Sequence, residues 1–546
     1  MKISLISINS KYPHSSLAVW YLLGGINKYA HKPHEVSVIE ATINQSIESI
    51  ATEIIIHTPD IVGLSTYIWN IHLIPSLVER LRTVLPNIIV LMGGPEVSNN
   101  IHYWLNGTAD YIIYGEGEYS IAEFIDAVED RDINRLKSIP GLCFSLDSEA
   151  FIGKEVPNLT EYINPYSEEY FCILQRSIAY IESSRGCPFS CSYCLSSNES
   201  VRFFPLKDVL VHTKELASYG ARTIKFVDRT FNCHPQRAKE IVKYITSLNT
   251  EACFHFEVAA DLFDDELLSI LSLAPKGRIR LEIGLQSFNE LSLEAVFRHQ
   301  NLTKAENNIR FLLKNQNIHI HIDLIAGLPY ETKESFINSF NRAYAIQAHT
   351  LQLGFLKLLH GSKLRSQAEG FSIKFLDNPP YEVISTLWME KDDLDELRQV
   401  ENALQNTYNK GRFLRTMEYS IDTSGYSPYD MYLLLGKTVP HHAISLENYT
   451  EQIYSCLLKL PGIDERVLRD KIVCDMLGMT KGKGIPLSLR THGHFRRRVF
   501  EKVKQKLGHT IDYDEIEELT SGIGVYVDSS KRDAVTGLYE IVFIEQ

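Results

Sequence analysis

Over residues 1–140, short and nearly unbroken apolar runs alternate with stretches whose apolar residues recur at helical spacing. The runs are KISLISI (2–8), EVSVIEA (35–41), DIVGLS (60–65), IIVLMGG (88–94) and YIIYGEG (111–117), with SLAVWYLLGGINKY and HLIPSLVERLRTVL between them. Strands that are apolar on both faces need a cover on both faces, so the pattern predicts an α/β domain: a doubly wound parallel sheet between helices. The opening MKISLISIN turns polar too soon for a secretory leader and reads as the first strand. In such sheets ligands sit at the carboxyl ends of the strands. Those ends carry Ser65–Thr66, Gly93–Gly94–Pro95–Glu96 and Gly115–Glu116–Gly117–Glu118.

Residues 141–177 show no sustained period and read as an irregular connector. From 178 a second strand–helix series begins, with strand candidates at 178–184, 223–231, 252–260, 278–286, 318–328 and 350–359. Six units fall short of the eight of a closed barrel, which predicts a partial (β/α)6 barrel over 178–365. The two parities of these strands differ. Arg278, Arg280, Glu282 and Gln286 alternate with Ile279, Leu281, Ile283 and Leu285. His319, His321 and Asp323 alternate with Ile320, Ile322 and Leu324, and His255 and Glu257 with Phe254, Phe256 and Val258. Helices must cover the apolar parity, so the polar one faces the lumen and makes it a ligand cavity. A buried ion-pair network is the bland reading for any one of these residues; three strands in agreement favour the cavity.

From 366 the pattern turns helical and polar and predicts an accessory region to 546. Residues 382–409 read as one or two amphipathic helices, and GVYVDSS…GLYEIVFI as a closing hairpin. The composition, 44% hydrophobic and 23% charged, is that of a soluble globular protein, and 546 residues imply several domains. No apolar run approaches the roughly eighteen residues of a membrane span. A net charge of −13 argues against a general nucleic-acid binder. Residues 481–506 nevertheless hold nine Lys or Arg against one Glu. That is either a solvated helix face or a site for a phosphorylated or nucleic-acid substrate. Nine cysteines, scattered outside one cluster, suit a reducing cytoplasm rather than a disulfide framework.

That cluster is SSRGCPFSCSYC (183–194), spaced C-x3-C-x2-C, with no fourth cysteine close behind. A structural zinc site wants four ligands. A cubane iron–sulfur cluster normally takes four thiolates, and three leave one iron open to an outside ligand, the condition for chemistry at the cluster. The loop follows the first barrel strand, where catalytic groups of βα barrels collect. A zinc ion completed by a distant His, or thiols with no metal, are the alternatives. His319-x-His321 with Asp323 offers a separate zinc set for a hydrolase, which leaves the three cysteines without a role.

Cys187, Cys191 and Cys194, with Tyr193 before the last, resemble the signature of the radical S-adenosylmethionine (SAM) enzymes. The resemblance implies a 4Fe-4S cluster on the three cysteines. Its open iron then binds SAM, whose reductive cleavage gives a hydrogen-abstracting 5′-deoxyadenosyl radical. It further implies Tyr193 near adenine and Asp228, in FVDRTFN, near the SAM amino group. Glu257, Glu282 and Gln286 take ribose and methionine contacts, and Gly327, in the G-x-P-x-E stretch of IAGLPYE (325–331), backs the adenine.

The N-terminal half resembles the cobalamin-binding domain that precedes some radical SAM barrels, through GLSTYIWN (63–70), MGGPEVS (92–98) and YGEGE (114–118). The implied cobalamin residues are Ser65, Thr66, Trp69, Gly93, Gly94, Pro95, Glu96, Gly115 and Glu116. The D-x-H-x-x-G stretch that supplies a cobalt-binding His is absent, which implies cobalt without a protein imidazole. Residues 366–546 resemble an accessory domain of unknown function in the same group. Together these imply a Rossmann-like domain (1–140), a connector (141–177), the barrel and the accessory region. The expected activity is methylation of an unactivated carbon, with substrate between the first two domains and a flavodoxin- or ferredoxin-type reductant. The competing expectations are a radical SAM rearrangement or cyclisation, and a non-catalytic cobalamin or iron–sulfur sensor.

Overall fold

The computed structural model describes residues 1–12, 14–146, 149–154, 161–174, 178–197, 199–439, 444–491, 494–507 and 511–544. The chain forms two compact units: 1–256 with 357–370 and 375–383, and 257–356 with 371–374 and 384–546.

The first unit opens with a seven-stranded sheet in the order β2-β1-β3-β4-β5-β6-β7. Strands β1 (Lys2–Asn9), β2 (Glu35–Thr42), β3 (Ile61–Ser65), β4 (Ile89–Gly93) and β5 (Tyr111–Ile113) are parallel. Every residue of β1 after Lys2 is buried, as a strand covered on both faces requires. Ile6, Ile8, Val62, Val90 and Met92 pack with Ile50, Ile54, Ile74, Leu77 and Leu81 of the crossover helices. Strand order reverses between β1 and β3, which makes the carboxyl ends of β1, β3 and β4 the crevice where this topology holds ligands.

Residues 142–152, expected to be irregular, instead form β6 (Leu142–Leu146) and β7 (Glu149–Ile152), antiparallel additions to the sheet edge. Runs of five and four residues are too short to register as a period. Further on, β8 (Ile178–Ile181), β9 (Thr223–Phe226) and β10 (Cys253–Val258) pair in parallel, β9 with both neighbours. β9 stops five residues short of the expected 231 because the chain turns at Asp228 to bond the preceding loop.

In the second unit β11 (Ile279–Gln286), β12 (His319–Ala326) and β13 (Thr350–Phe355) are parallel. On β11 and β12 the apolar parity is buried throughout, whereas Glu282, Gln286, His319, His321 and Asp323 are half-buried and Arg280 is exposed. The alternation is the expected one, and six strands separated by helices follow one another in the chain from Ile178 to Phe355, the number of repeats the sequence predicts.

The C-terminal region is mostly helical. The amphipathic pattern at 382–409 becomes an α-helix over Lys391–Asn406, started by a capping box between Glu390 and Asp393, and a 3-10 turn at Tyr408–Lys410; Val383–Ser385 is a short strand. The expected hairpin, Gly524–Arg532 with Tyr539–Ile544, gains a third strand, Ile516–Glu518. The reading of 481–506 as a solvated face fails at Arg490 and Arg496, whose side chains are 8% exposed. Both pair with Asp514 and with the fully buried Glu517, which no charge count of the run alone reveals. His492 and Gly493 of that run lie outside the described residues. Among the described residues no helix is long and apolar enough to cross a membrane.

Candidate functional site

The three cysteines sit on the excursion that follows β8. Asp228 fixes its base: only 1% exposed, it accepts from the Ser183 amide (2.9 Å), Ser183 Oγ (2.6 Å) and Ser184 Oγ (2.5 Å). Ser184–Arg185 then pairs antiparallel with Arg202–Phe203, and the Cys187 amide donates to the Glu199 carbonyl (3.2 Å). Between them Gly186 has φ +89°, and a Cβ there would stand 2.6 Å from the Ser200 carbonyl oxygen, so only glycine closes this loop. Inside it Cys187 and Cys191 are buried and Cys194 is half-buried, none of them in a disulfide. The Cys194 amide donates to the Cys191 carbonyl (3.1 Å), and Cys187 Sγ lies 3.7 Å from Thr230 Oγ1. Burial pushes the Cys194 thiol up while the Arg229 guanidinium works against it. Three thiols on one pinned loop, with a cation beside them, form a donor set that fits an iron–sulfur cluster.

A fourth thiol lies close by and escapes a reading by spacing. Cys233 follows β9, and burial, then the charges of Asp228 and Cys187, push it up to about 11. Asp228, expected at the SAM amino group, spends both oxygens on Ser183 and Ser184 and acts here as the anchor of the loop. Tyr193 is half-buried on the same loop.

Arg185 joins this loop to the first sheet. Its guanidinium meets Glu118 (2.6 Å), Glu182 (3.0 Å) and Glu116 (3.4 Å), and lies over the rings of Tyr21 (5.0 Å) and Phe204 (5.4 Å). Arg202 also pairs with Glu116. Burial nonetheless outweighs Arg185 at Glu182 and raises that carboxyl. Glu116, expected to face cobalamin, is thus committed to two arginines two to fifteen residues from the cysteines. The arginines were not singled out from sequence because an isolated Arg carries no spacing signal.

At the strand ends of the first sheet the expected residues divide. Thr66 is buried and gives its amide and Oγ1 to the Gly93 carbonyl, both at 2.8 Å. Gly94 has φ +107°, and a Cβ would stand 2.5 Å from the Thr66 carbonyl oxygen. Gly115 follows β5, and Pro95 begins the short helix Pro95–Ser98. Ser65 Oγ is buried without a hydrogen bond. Trp69, 38% exposed, stacks on Tyr67 (4.4 Å, 5°) and donates to the Ile8 carbonyl (3.1 Å). Side-chain-free backbone, an unpaired hydroxyl and a stacked aromatic pair at the switch point fit a flat macrocycle. Glu96 is different: it is buried and accepts from Tyr381 Oη (2.8 Å).

Tyr381 belongs to 375–383, which with 357–370 is part of the first unit, at the start of the accessory region. The Leu364 amide donates to the Ser192 carbonyl (2.7 Å), within the cysteine loop. These two stretches therefore touch both Glu96, at the strand ends, and the cysteine loop. Arg365 lies over the Tyr381 ring (5.0 Å) and His360 meets it edge-on (4.9 Å).

In the second unit Gln286 ends β11 at φ +68°, with Oε1 buried and without a hydrogen bond, and Gly327 follows β12 at φ +87°. Glu257 is half-buried at the end of β10. Glu331, the last residue of G-x-P-x-E, is fully buried and accepts from Ser287 (2.7 Å), Ser335 (3.3 Å) and Ser339 (3.4 Å). Burial pushes it up to about 7 against those three hydroxyls. The zinc set His319–His321–Asp323 does not form. His319 stacks on His349 (5.1 Å), and among the described residues Glu282 joins His321 and Asp323 instead.

Residues 3–125 match the family model of the B12 binding domain, 181–343 that of the Radical SAM superfamily, and 369–522 that of a protein family of unknown function, DUF4080. The cobalamin-dependent radical SAM methyltransferase TokK of Streptomyces tokunonensis is 24% identical over 299 residues, 51% of this chain and 44% of the relative. The chain thus spans under half the length of that relative. An anaerobic magnesium-protoporphyrin IX monomethyl ester cyclase of Synechocystis sp. is 24% identical over 334 residues, 57% of this chain and 65% of the relative. Among solved structures, the cobalamin-dependent SAM radical enzyme OxsB, with aqua-cobalamin and SAM bound, superposes at TM-score 0.62. It covers 86% of this chain and 78% of its own at 14% identity, a likeness of fold. Cysteine loop, strand-end crevice and matched segments agree: along the chain a segment like the B12 binding domain is followed by one like the Radical SAM superfamily and then by one like DUF4080.

Proposed function

We propose that the chain is a cobalamin-dependent radical SAM methyltransferase acting on an unactivated carbon, in the cytoplasm, with a flavodoxin- or ferredoxin-type reductant. The observation that carries this reading is the tie from Arg185 and Arg202, on the cysteine loop, to Glu116 and Glu118 at the end of β5. It holds a cluster site against the strand-end side of the B12 binding domain, as a reaction shared between two cofactors requires. When bound, SAM at the cluster supplies a hydrogen-abstracting radical, and cobalamin supplies the methyl group.

The chain's own residues bind, orient and exclude water. Cys187, Cys191 and Cys194 hold the cluster and leave one iron open. Asp228 sets the height of their loop through Ser183 and Ser184. Ser65, Gly93, Gly94 and Trp69 hold cobalamin, while Glu96 and Glu116 position the elements around it. Tyr193, on the cysteine loop, takes SAM, and the stretches 357–370 and 375–383 hold that loop and Glu96 in place. The cyclase relative favours a second reading, a radical cyclisation without methyl transfer.

The test is incubation of anaerobically purified protein with methyl-deuterated SAM and a low-potential reductant. Label on the protein's cobalamin together with 5′-deoxyadenosine supports methyl transfer. 5′-Deoxyadenosine without label supports the second reading, and neither product, from protein loaded with both cofactors, contradicts both.

A further inference from the structure

Away from the cysteine loop, one group of metal-ligating side chains converges among the described residues: Glu282 on β11 with His321 and Asp323 on β12. The register sets Glu282 directly beside His321, and Asp323 is the next residue on the same side of β12. One donor atom from each lies within 4.8 Å of the other two, and all three residues are half-buried. All three stand on the polar parity of strands whose other parity is fully buried, so the backbone beneath them is rigid.

His321 Nε2 lies 3.0 Å from Asp323 Oδ1, yet Asp323 Oδ1 is buried and makes no hydrogen bond: near enough, but not aligned. Two carboxylates and one imidazole converging within 4.8 Å in a partly desolvated place are a donor set that suits a divalent cation. We infer that Glu282, His321 and Asp323 bind one divalent transition-metal ion of the Mn2+, Fe2+ or Zn2+ type. An imidazole with two carboxylates suits such ions, and three protein donors leave coordination positions open to the lumen. A ligand with oxygen or nitrogen donors is then held there by the ion. Glu282 serves this ion rather than the SAM ribose. His319, two residues before His321 on the same parity, stacks on His349 and takes no part.

The test is a titration of Mn2+ into the anaerobically purified holoenzyme, with the cluster oxidised and cobalamin as Co(III), both silent in electron paramagnetic resonance. The free-ion signal reports binding. The wild type takes up one ion per chain; His321→Gln and Asp323→Asn each weaken binding at least about 100-fold. His319→Gln binds as the wild type does, and unchanged iron content in all three variants shows that the fold is intact. No uptake by the wild type, or equal uptake by the wild type and the His321→Gln and Asp323→Asn variants, overturns the site. The measurement needs no SAM turnover, so its failure is separate from failure of the methyl-transfer reading.

Discussion

Arg185 Nη2 donates to Glu118 Oε1 at 2.6 Å, and so ties the loop that carries three cysteines to the helix that begins after β5. The guanidinium is 17% exposed and serves three carboxylates. Removing it leaves Glu116, Glu118 and Glu182 crowded in a partly dry place.

Arg185→Gln should therefore destabilise the protein by about 3–5 kcal/mol. Without the cation Glu182, which burial already raises, titrates higher still in the folded state than in the unfolded chain, with the carboxyl of Glu118 left beside it. The loss then grows as pH rises and shrinks as the carboxyls protonate. Melting temperatures of wild type and variant at pH 5.5 and pH 8 check this; an equal deficit at both contradicts it.

Gly186→Ala strains a backbone at φ +89° and drives a methyl into the Ser200 carbonyl, at a cost of about 1–3 kcal/mol. Because the strain sits between Ser184 and Cys187, iron per chain should fall sharply while the far-ultraviolet circular dichroism stays that of the wild type. Full iron loading of the variant would show that the loop tolerates a side chain.

Tyr381→Phe removes the donor from a buried carboxyl and should cost about 1–3 kcal/mol. Burial already raises Glu96, and Tyr381 is the hydrogen bond that restrains it. The variant's Glu96 therefore rises further, and the deficit is larger at pH 8 than at pH 5. Denaturation midpoints at the two pH values decide it.

Glu331 is held at about 7, above the ordinary carboxylate range. Its neutral form is the one the fold accepts. Stability is complete below the unfolded value and declines as pH rises through about 7, by on the order of 3 kcal/mol in all. Glu331→Gln keeps an acceptor for Ser287 and should lose this pH dependence; urea midpoints between pH 5 and pH 8.5 measure it.

Much of the fold is legible in the chain because the period-two alternation on β11 and β12 and the apolar runs of β1 to β5 follow directly from which faces are covered. The grouping of Cys187, Cys191 and Cys194 is legible because thiols gathered on one loop are close in sequence. What escaped has long sequence separation: Tyr381 reaches Glu96 across 285 positions, and Arg185 reaches Glu118 across 67. β6 and β7 escaped because they are short, and the burial of Arg490 and Arg496 because their partners lie on a different strand and turn. Glu96 and Glu116 stand where strand-end residues were expected to meet a ligand, but tertiary partners claim them first.

The most direct test of the central claim is iron and cobalt per chain, by elemental analysis, after strictly anaerobic purification from cells fed cobalamin. The account predicts about four irons and one cobalt, with iron lost and cobalt kept in a Cys187→Ala variant. Iron without cobalt, even after reconstitution with cobalamin, would contradict the shared reaction, and zinc in place of iron would contradict the reading of the cysteine loop itself.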